Sequence, residues 1–311
     1  MKKFAKRLGM LVLVLFVLLN VMLIFQAYSL SHFYEPNEVV IKKQDEKTGW
    51  DITKEILFGP NFVKQKNSVT DSAFQTVYFN TENGLKLEAW LLPTPAAKGT
   101  VALFHGHGGK KSSLLKEAQV FRSLGYSALL LDFRAHGGSQ GNTCSIGFKE
   151  AEDVKLAYTY LEAQGEKNII LYGVSLGAAT ITKAVNDYKL HPSKIILDMP
   201  FASLSDGVKG RLRIMKLPEE PLSTMLTFWG GTLQGFWAFN NKPYIYVRQI
   251  KCPVLLQWGR YDNRVTRQET EKIYNNITSA KKLVIYESSG HESLCKKETI
   301  KWTNEVTTFL Q

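Results

Sequence analysis

One pentapeptide constrains this chain more than any other stretch. Gly173-Val174-Ser175-Leu176-Gly177 sits where an apolar run, Asn168–Tyr172, meets a helical pattern over Leu176–Lys189. As a bare pattern G-x-S-x-G also occurs at helix starts without chemistry, so its placement decides its meaning. Between a strand and a helix, the glycines allow a sharp reversal that holds the serine in a strained turn, its oxygen above the sheet edge. The helix behind it aims its first N–H groups at any negative charge that develops there. Such a turn requires a sheet open at its carboxyl edge with helices packed against it.

The flanking sequence alternates accordingly. Gln75–Asn80 and Leu85–Leu92 form a hairpin pattern around Glu82-Asn83-Gly84. Short apolar runs at Gly99–Phe104, Tyr126–Asp132, Lys194–Asp198, Pro253–Trp258 and Lys282–Tyr286 read as strands. Helical stretches lie between them at Lys111–Leu124, about Gly147–Ala163 and Arg267–Ile277, with a last one from about Cys295. The pattern predicts an α/β fold with a mostly parallel central sheet flanked by helices. It breaks between about Ser203 and Ile250, where Phe228, Trp229, Phe236 and Trp237 crowd among glycines. That stretch reads as a cap inserted between two strands of one sheet.

The amino terminus obeys different physics. Met10–Phe25 is apolar at every position but Asn20, and Gln26–Leu30 extends the run to 21 residues. As a helix this spans about 31 Å, close to the hydrocarbon thickness of a bilayer. Lys2, Lys3, Lys6 and Arg7 precede it with no acidic residue. Residues 1–30 therefore form a membrane anchor or a signal segment, and Ala27-Tyr28-Ser29 offers small residues for cleavage after Ser29. The positive-inside rule keeps the amino terminus cytoplasmic and sends the rest across, anchored, or secreted or periplasmic after cleavage. Residues 31–72, polar and mixed in charge, read as a juxtamembrane linker that packs part of itself on the domain. Residues 73–311 form the catalytic domain with its cap at about 203–250.

With 44% hydrophobic residues the chain is too apolar for global disorder. The formal charge of +11 is spread without a run of five or six like charges, which excludes a nucleic-acid partner as the simple reading. Cys144, Cys252 and Cys295 make neither a disulfide framework nor a zinc pattern, and their odd number leaves their redox state open.

A serine hydroxyl is a poor nucleophile and needs a base, which needs an orienting acid. In this strand order the partners follow as acid and then histidine, each after a later strand. His291 follows the last strand in Ser288-Ser289-Gly290-His291, and Asp262 follows the strand before it in Gly259-Arg260-Tyr261-Asp262. Asp198, one strand earlier, is the rival acid. An oxyanion needs N–H donors, and the amide of Leu176 is one. The second comes from His105-Gly106-His107-Gly108-Gly109, with the amide of His107 preferred and Gly108 next. His105 and His107 lack the acidic companions of a metal site, and Gly109-Lys110-Lys111-Ser112 lacks phosphate-loop spacing.

Together HGHGG, Asp132-Phe133-Arg134-Ala135-His136-Gly137-Gly138-Ser139, GVSLG, Gly259–Asp262 and SSGHE resemble α/β-hydrolase fold serine hydrolases. The likeness is to the serine aminopeptidase/monoacylglycerol-lipase-like branch, including its membrane-anchored members, and it covers about residues 73–311. It implies a Ser175–His291–Asp262 triad, the same residues that spacing selects. Relatives usually read D-x-R-G-x-G-x-S; here Ala135 replaces the common glycine, and His136 reads as a brace for the loop. The resemblance implies a serine hydrolase cleaving carboxylic esters through an acyl-enzyme on Ser175. An amidase or serine peptidase, or a thioesterase or acyltransferase, would use the same triad. From another class, a non-catalytic membrane-tethered binding protein could keep the fold. No cofactor or metal is implied, the expected substrate is a small apolar acyl ester, and oligomeric state is left open.

Overall fold

The short Val-, Ile- and Leu-rich runs become strands in the computed structural model, which describes residues 1–68 and 73–311. Strands β1 (Phe33–Tyr34) and β2 (Phe62–Val63) form a small parallel pair. The main sheet contains β3 (Gln75–Asn80), β4 (Lys86–Leu92), β5 (Thr100–Phe104), β6 (Ser127–Leu131), β7 (Ile169–Val174), β8 (Lys194–Asp198), β9 (Val254–Gly259) and β10 (Lys281–Tyr286). Their order is β10-β9-β8-β7-β5-β6-β4-β3. The β3–β4 hairpin and the β4–β6 pair are antiparallel, and every other pair is parallel. All residues of β5 and β6 are buried, as continuous apolar strands covered on both faces should be.

Before the sheet comes α1 (Lys2–Ser31), a single helix long and apolar enough to cross a membrane. Residues Met10–Leu18 are exposed along it, whereas Leu23 and Ala27 are buried. The chain then turns back over the domain. Phe33 is buried between Phe62, His107 and His136, with ring centroids 5.9, 5.2 and 4.5 Å away. Its N–H donates to the Asn142 carbonyl at 2.7 Å, and the N–H of Cys144 donates to that of Ser31 at 2.8 Å. Helix α2 (Gly49–Phe58) follows, capped by Thr48 and Asp51. The segment expected as a linker is thus fastened to the domain from its first residues; its positions 69–72 lie outside the described residues.

Helices α3 (Leu115–Ser123), α4 (Glu150–Ala163) and α5 (Leu176–Tyr188) alternate with the strands. The predicted Lys111–Leu124 helix opens instead as a 3-10 turn at Lys111–Leu114, which turns the Lys111 side chain inward. Between β8 and β9 lie α6 (Leu204–Ile214), α7 (Leu222–Gln234) and the short α8 (Pro243–Tyr246). Leu204, Val208, Leu212 and Leu226 from this region pack with Leu23 and Ala27 of α1. Asn20, the polar residue of the apolar run, accepts a hydrogen bond from Trp229 Nε1 at 3.1 Å. Then come α9 (Arg267–Asn276), α10 (Leu294–Lys297) and α11 (Thr299–Leu310). The expected last helix splits at Glu298, whose carboxylate accepts from Ser288 N–H at 2.9 Å and Ser289 Oγ at 2.7 Å. All three cysteines are free thiols.

The Asp132 segment is braced by buried charge. Lys111 and Asp132 are fully buried, 2.5 Å apart, and Lys111 also reaches Glu88 at 2.6 Å. Asp132 accepts further bonds from Asn67 Nδ2 and Gly138 N–H, and Arg134 pairs with Glu152 and Asp153. Removing one member leaves an uncompensated charge, so K111M should lower unfolding free energy by about 3–5 kcal/mol, read by denaturation in detergent. A loss below about 1 kcal/mol would show that the ion pair is not the brace. Ala135 sits at φ 64°, the left-handed region where a glycine is favoured. A135G should therefore stabilise the fold by roughly 0.5–1 kcal/mol, relief of strain outweighing added chain entropy. Destabilisation in the same assay would contradict this.

Candidate active site

The parallel order places the ends of β5, β7, β8, β9 and β10 side by side, and the site is built from the loops that leave them. Ser175 stands between β7 and α5 at φ 51°, ψ −108°. Its N–H donates to the Asp198 carbonyl at 2.7 Å, and its own carbonyl accepts from Ala179 at 3.0 Å. A Cβ on Gly173 would lie 2.6 Å from the Ala178 amide, and one on Gly177 would collide with the Phe104 carbonyl. Both are rigid backbone, so neither position admits a side chain.

The structure brings Ser175, His291 and Asp262 together. His291 Nε2 lies 3.0 Å from Ser175 Oγ, and Nδ1 lies 2.8 Å from Asp262 Oδ2. This network assigns the proton to Nδ1, leaving Nε2 to accept from the serine. The other Asp262 oxygen accepts from the N–H groups of Arg264 and Val265 at 2.7 and 2.8 Å. The two loops approach closely because Gly259 has no side chain: a Cβ there would sit 2.6 Å from the carbonyls of Ser289 and Gly290.

Asp198 faces elsewhere. Its oxygens accept from Tyr172 OH at 2.7 Å, Gln257 Nε2 at 2.7 Å and, more weakly, Trp302 Nε1 at 3.4 Å. Burial outweighs those donors and pushes its carboxyl up to about 7.

The His105–Gly109 loop lies beside Ser175, where a Cβ on Gly106 would be 3.6 Å from the serine Cβ. Among the described residues, the N–H groups of His107 and Leu176 donate to no protein acceptor. Gly108, the second choice, is already engaged: its N–H donates to His136 Nε2 at 3.0 Å. His136 in turn is oriented by Nδ1–H to the Arg134 carbonyl at 2.9 Å. The His107 ring, pulled down to about 4 chiefly by burial and then by the Arg211 charge, is neutral. Its Nε2–H donates to the Leu30 carbonyl at 3.0 Å, so the last turn of α1 holds this loop.

Ser175 and His291 open into a cleft walled by Leu30, Ile146, Phe201, Val208 and Val265, with Arg211 and Arg264 at its side. Leu30 and the two arginines are not apparent from sequence. Leu30 belongs to the apolar run, Arg211 has no local motif, and only the position of Arg264 two residues past Asp262 offers a clue.

The state of Asp198 has a measurable consequence. Folding raises its pKa from 3.8 to about 7, so between those values the folded protein holds a proton that the unfolded chain has lost. That stability is fully present below the unfolded value and disappears as pH rises through the folded one. The stability of wild type relative to D198N should therefore fall between about pH 4 and about pH 7 in chemical denaturation. A difference that stays constant or grows would contradict the assignment.

Comparison with known proteins agrees with this architecture. The family described as serine aminopeptidase, S33, matches residues 95–242. The YqkD protein of Bacillus subtilis is 28% identical over 68% of this chain and 70% of its own length. A lysophosphatidylserine lipase of Danio rerio is 26% identical over 62% of this chain, which spans 49% of that protein. Among solved structures, the Pyrococcus furiosus esterase Pf2001 superposes with a TM-score of 0.66 at 23% identity, over 79% of this chain and 96% of the esterase. The chain has the α/β-hydrolase fold, and its residues 95–242 are similar to the serine aminopeptidase family.

Proposed function

We propose that the protein is a membrane-anchored serine hydrolase that cleaves carboxylic esters through an acyl-enzyme on Ser175. The observation that carries the reading is the continuous relay from Ser175 through His291 to Asp262, beside two amide donors with no acceptor among the described residues. As Ser175 Oγ attacks the acyl carbon, His291 Nε2 takes its proton, and the imidazolium is stabilised by Asp262. The carbonyl oxygen, now negative, turns toward the N–H groups of Leu176 and His107 at the positive end of α5. Collapse expels the alcohol, protonated by His291. Water then attacks the acyl-enzyme by the same path and releases the acid.

The apolar cleft and the similarity to an esterase and a lipase support an ester over an amide. The catalytic unit in this reading is residues 73–311, with 203–250 as its cap. Residues 1–30 serve as a retained anchor with a cytoplasmic amino terminus, directed by Lys2, Lys3, Lys6 and Arg7. Retention is supported by the docking of Leu23, Ala27 and Leu30, because cleavage after Ser29 would remove most of that contact.

Turnover of a p-nitrophenyl ester by the full chain tests the assignment. S175A should abolish it, D262N should lower kcat on the order of 10⁴-fold, and D198N should leave it near wild type. Activity retained in S175A, or a larger loss in D198N than in D262N, would overturn these roles.

A further inference from the structure

Two guanidinium groups share the Ser175 cleft, and among the described residues neither has an acidic partner. Arg211 lies on α6, over the Phe62 ring at 5.1 Å from its centroid. Arg264 follows Asp262 in the acid loop and is exposed. The nearby Arg213 shows the ordinary arrangement, pairing with Glu219 at 2.9 Å. Arg211 is half-buried, and burial together with the Arg264 charge draws its pKa below the usual guanidinium value. It nevertheless stays a cation, since arginine does not lose its proton in proteins. Two like charges at the edge of an apolar cleft repel each other and lack compensation, an arrangement that an anion completes.

The rest of the cleft has the opposite character. Leu30, Ile146 and Val208 line both the Ser175 cleft and a second, apolar cavity. That cavity continues between the last turns of α1 and the cap, past Ala27, Leu226 and Phe236. One side of the site is therefore cationic, and on the other a small apolar cavity adjoins it beside α1.

We propose that Arg211 and Arg264 form an anion-recognition pair, so that the site takes a single-chain acyl ester with a phosphate or carboxylate near the ester and its hydrocarbon chain along α1. This rests on the ester-hydrolase reading above and names its substrate class. Phosphate and carboxylate share the relevant chemistry, which is planar, charge-assisted hydrogen bonding to guanidinium. The apolar substrate expected from sequence then corresponds to the chain half alone.

The test uses the full-length protein in neutral detergent and four substrates with one acyl chain: a p-nitrophenyl ester, a monoacylglycerol, an acylglycerol 3-phosphate, and an acyl ester of a hydroxycarboxylate. Wild type should favour at least one anionic ester over the monoacylglycerol by about tenfold or more in kcat/KM. Which of the two it favours identifies the anion. R211Q and R264Q should each lower the anionic-to-neutral ratio about tenfold, mainly by raising KM, and R211K should retain part of it. Because Arg264 is exposed, R264Q keeps the test open if R211Q fails to fold. Wild type with p-nitrophenyl turnover but no anionic preference would overturn the proposal. So would variants that weaken neutral and anionic esters equally. Absence of turnover on all four would instead overturn the ester-hydrolase reading beneath it.

Discussion

Ser175 is held at φ 51° by structure on every side, and the site's geometry follows from that constraint. A non-glycine residue in this region costs on the order of 1–3 kcal/mol and persists only where its surroundings enforce it. Here β7 pairs with β5 and β8 on its two edges, and α5 is pressed against the end of β5 by the absence of a side chain at Gly177. That close approach sets the Leu176 amide beside the His105–Gly109 loop. It also aims Ser175 Oγ across the sheet edge toward His291, delivered from β10.

The amino-terminal helix is joined to this machinery. An anchor that served only as a tether would need no contact with the domain beyond its linker. Instead Leu23 and Ala27 pack against α6 and α7, Asn20 takes a hydrogen bond from Trp229, and the Leu30 carbonyl holds the His107 ring. Phe33 then closes over His107 and His136. The amino-terminal helix and the candidate oxyanion loop therefore share a packing interface, and the cleft is walled in part by that helix. The positive charge left after the four leading cations is spread too evenly for sequence to assign; Arg211 and Arg264 give two of those charges a specific location.

Much of this is legible in the sequence because it depends on local chemistry. Strand periods, the Asn83-Gly84 turn and the strand-to-helix placement of Ser175 are local signals, and the order of loops after parallel strands points to His291 and to Asp262, with Asp198 left as the rival acid. What escapes is decided by contacts between distant segments. Phe33 lies in a stretch polar enough to read as a linker, yet it is buried by rings from three other places. Gly108 is a sensible second donor by sequence, but His136, 28 residues on, takes its N–H. Glu298 breaks a helical pattern because its carboxylate is needed by Ser288 and Ser289. Arg211 carries no motif, since its meaning lies in the absence of an acidic partner among the described residues.

In the proposed mechanism one serine carries the acyl group. Treating the full-length protein with a fluorophosphonate and mapping the adduct by peptide mass spectrometry tests this most directly. The predicted result is a single adduct on Ser175 that forms as ester turnover is lost. An adduct on another residue, or loss of turnover with Ser175 unmodified, would contradict it.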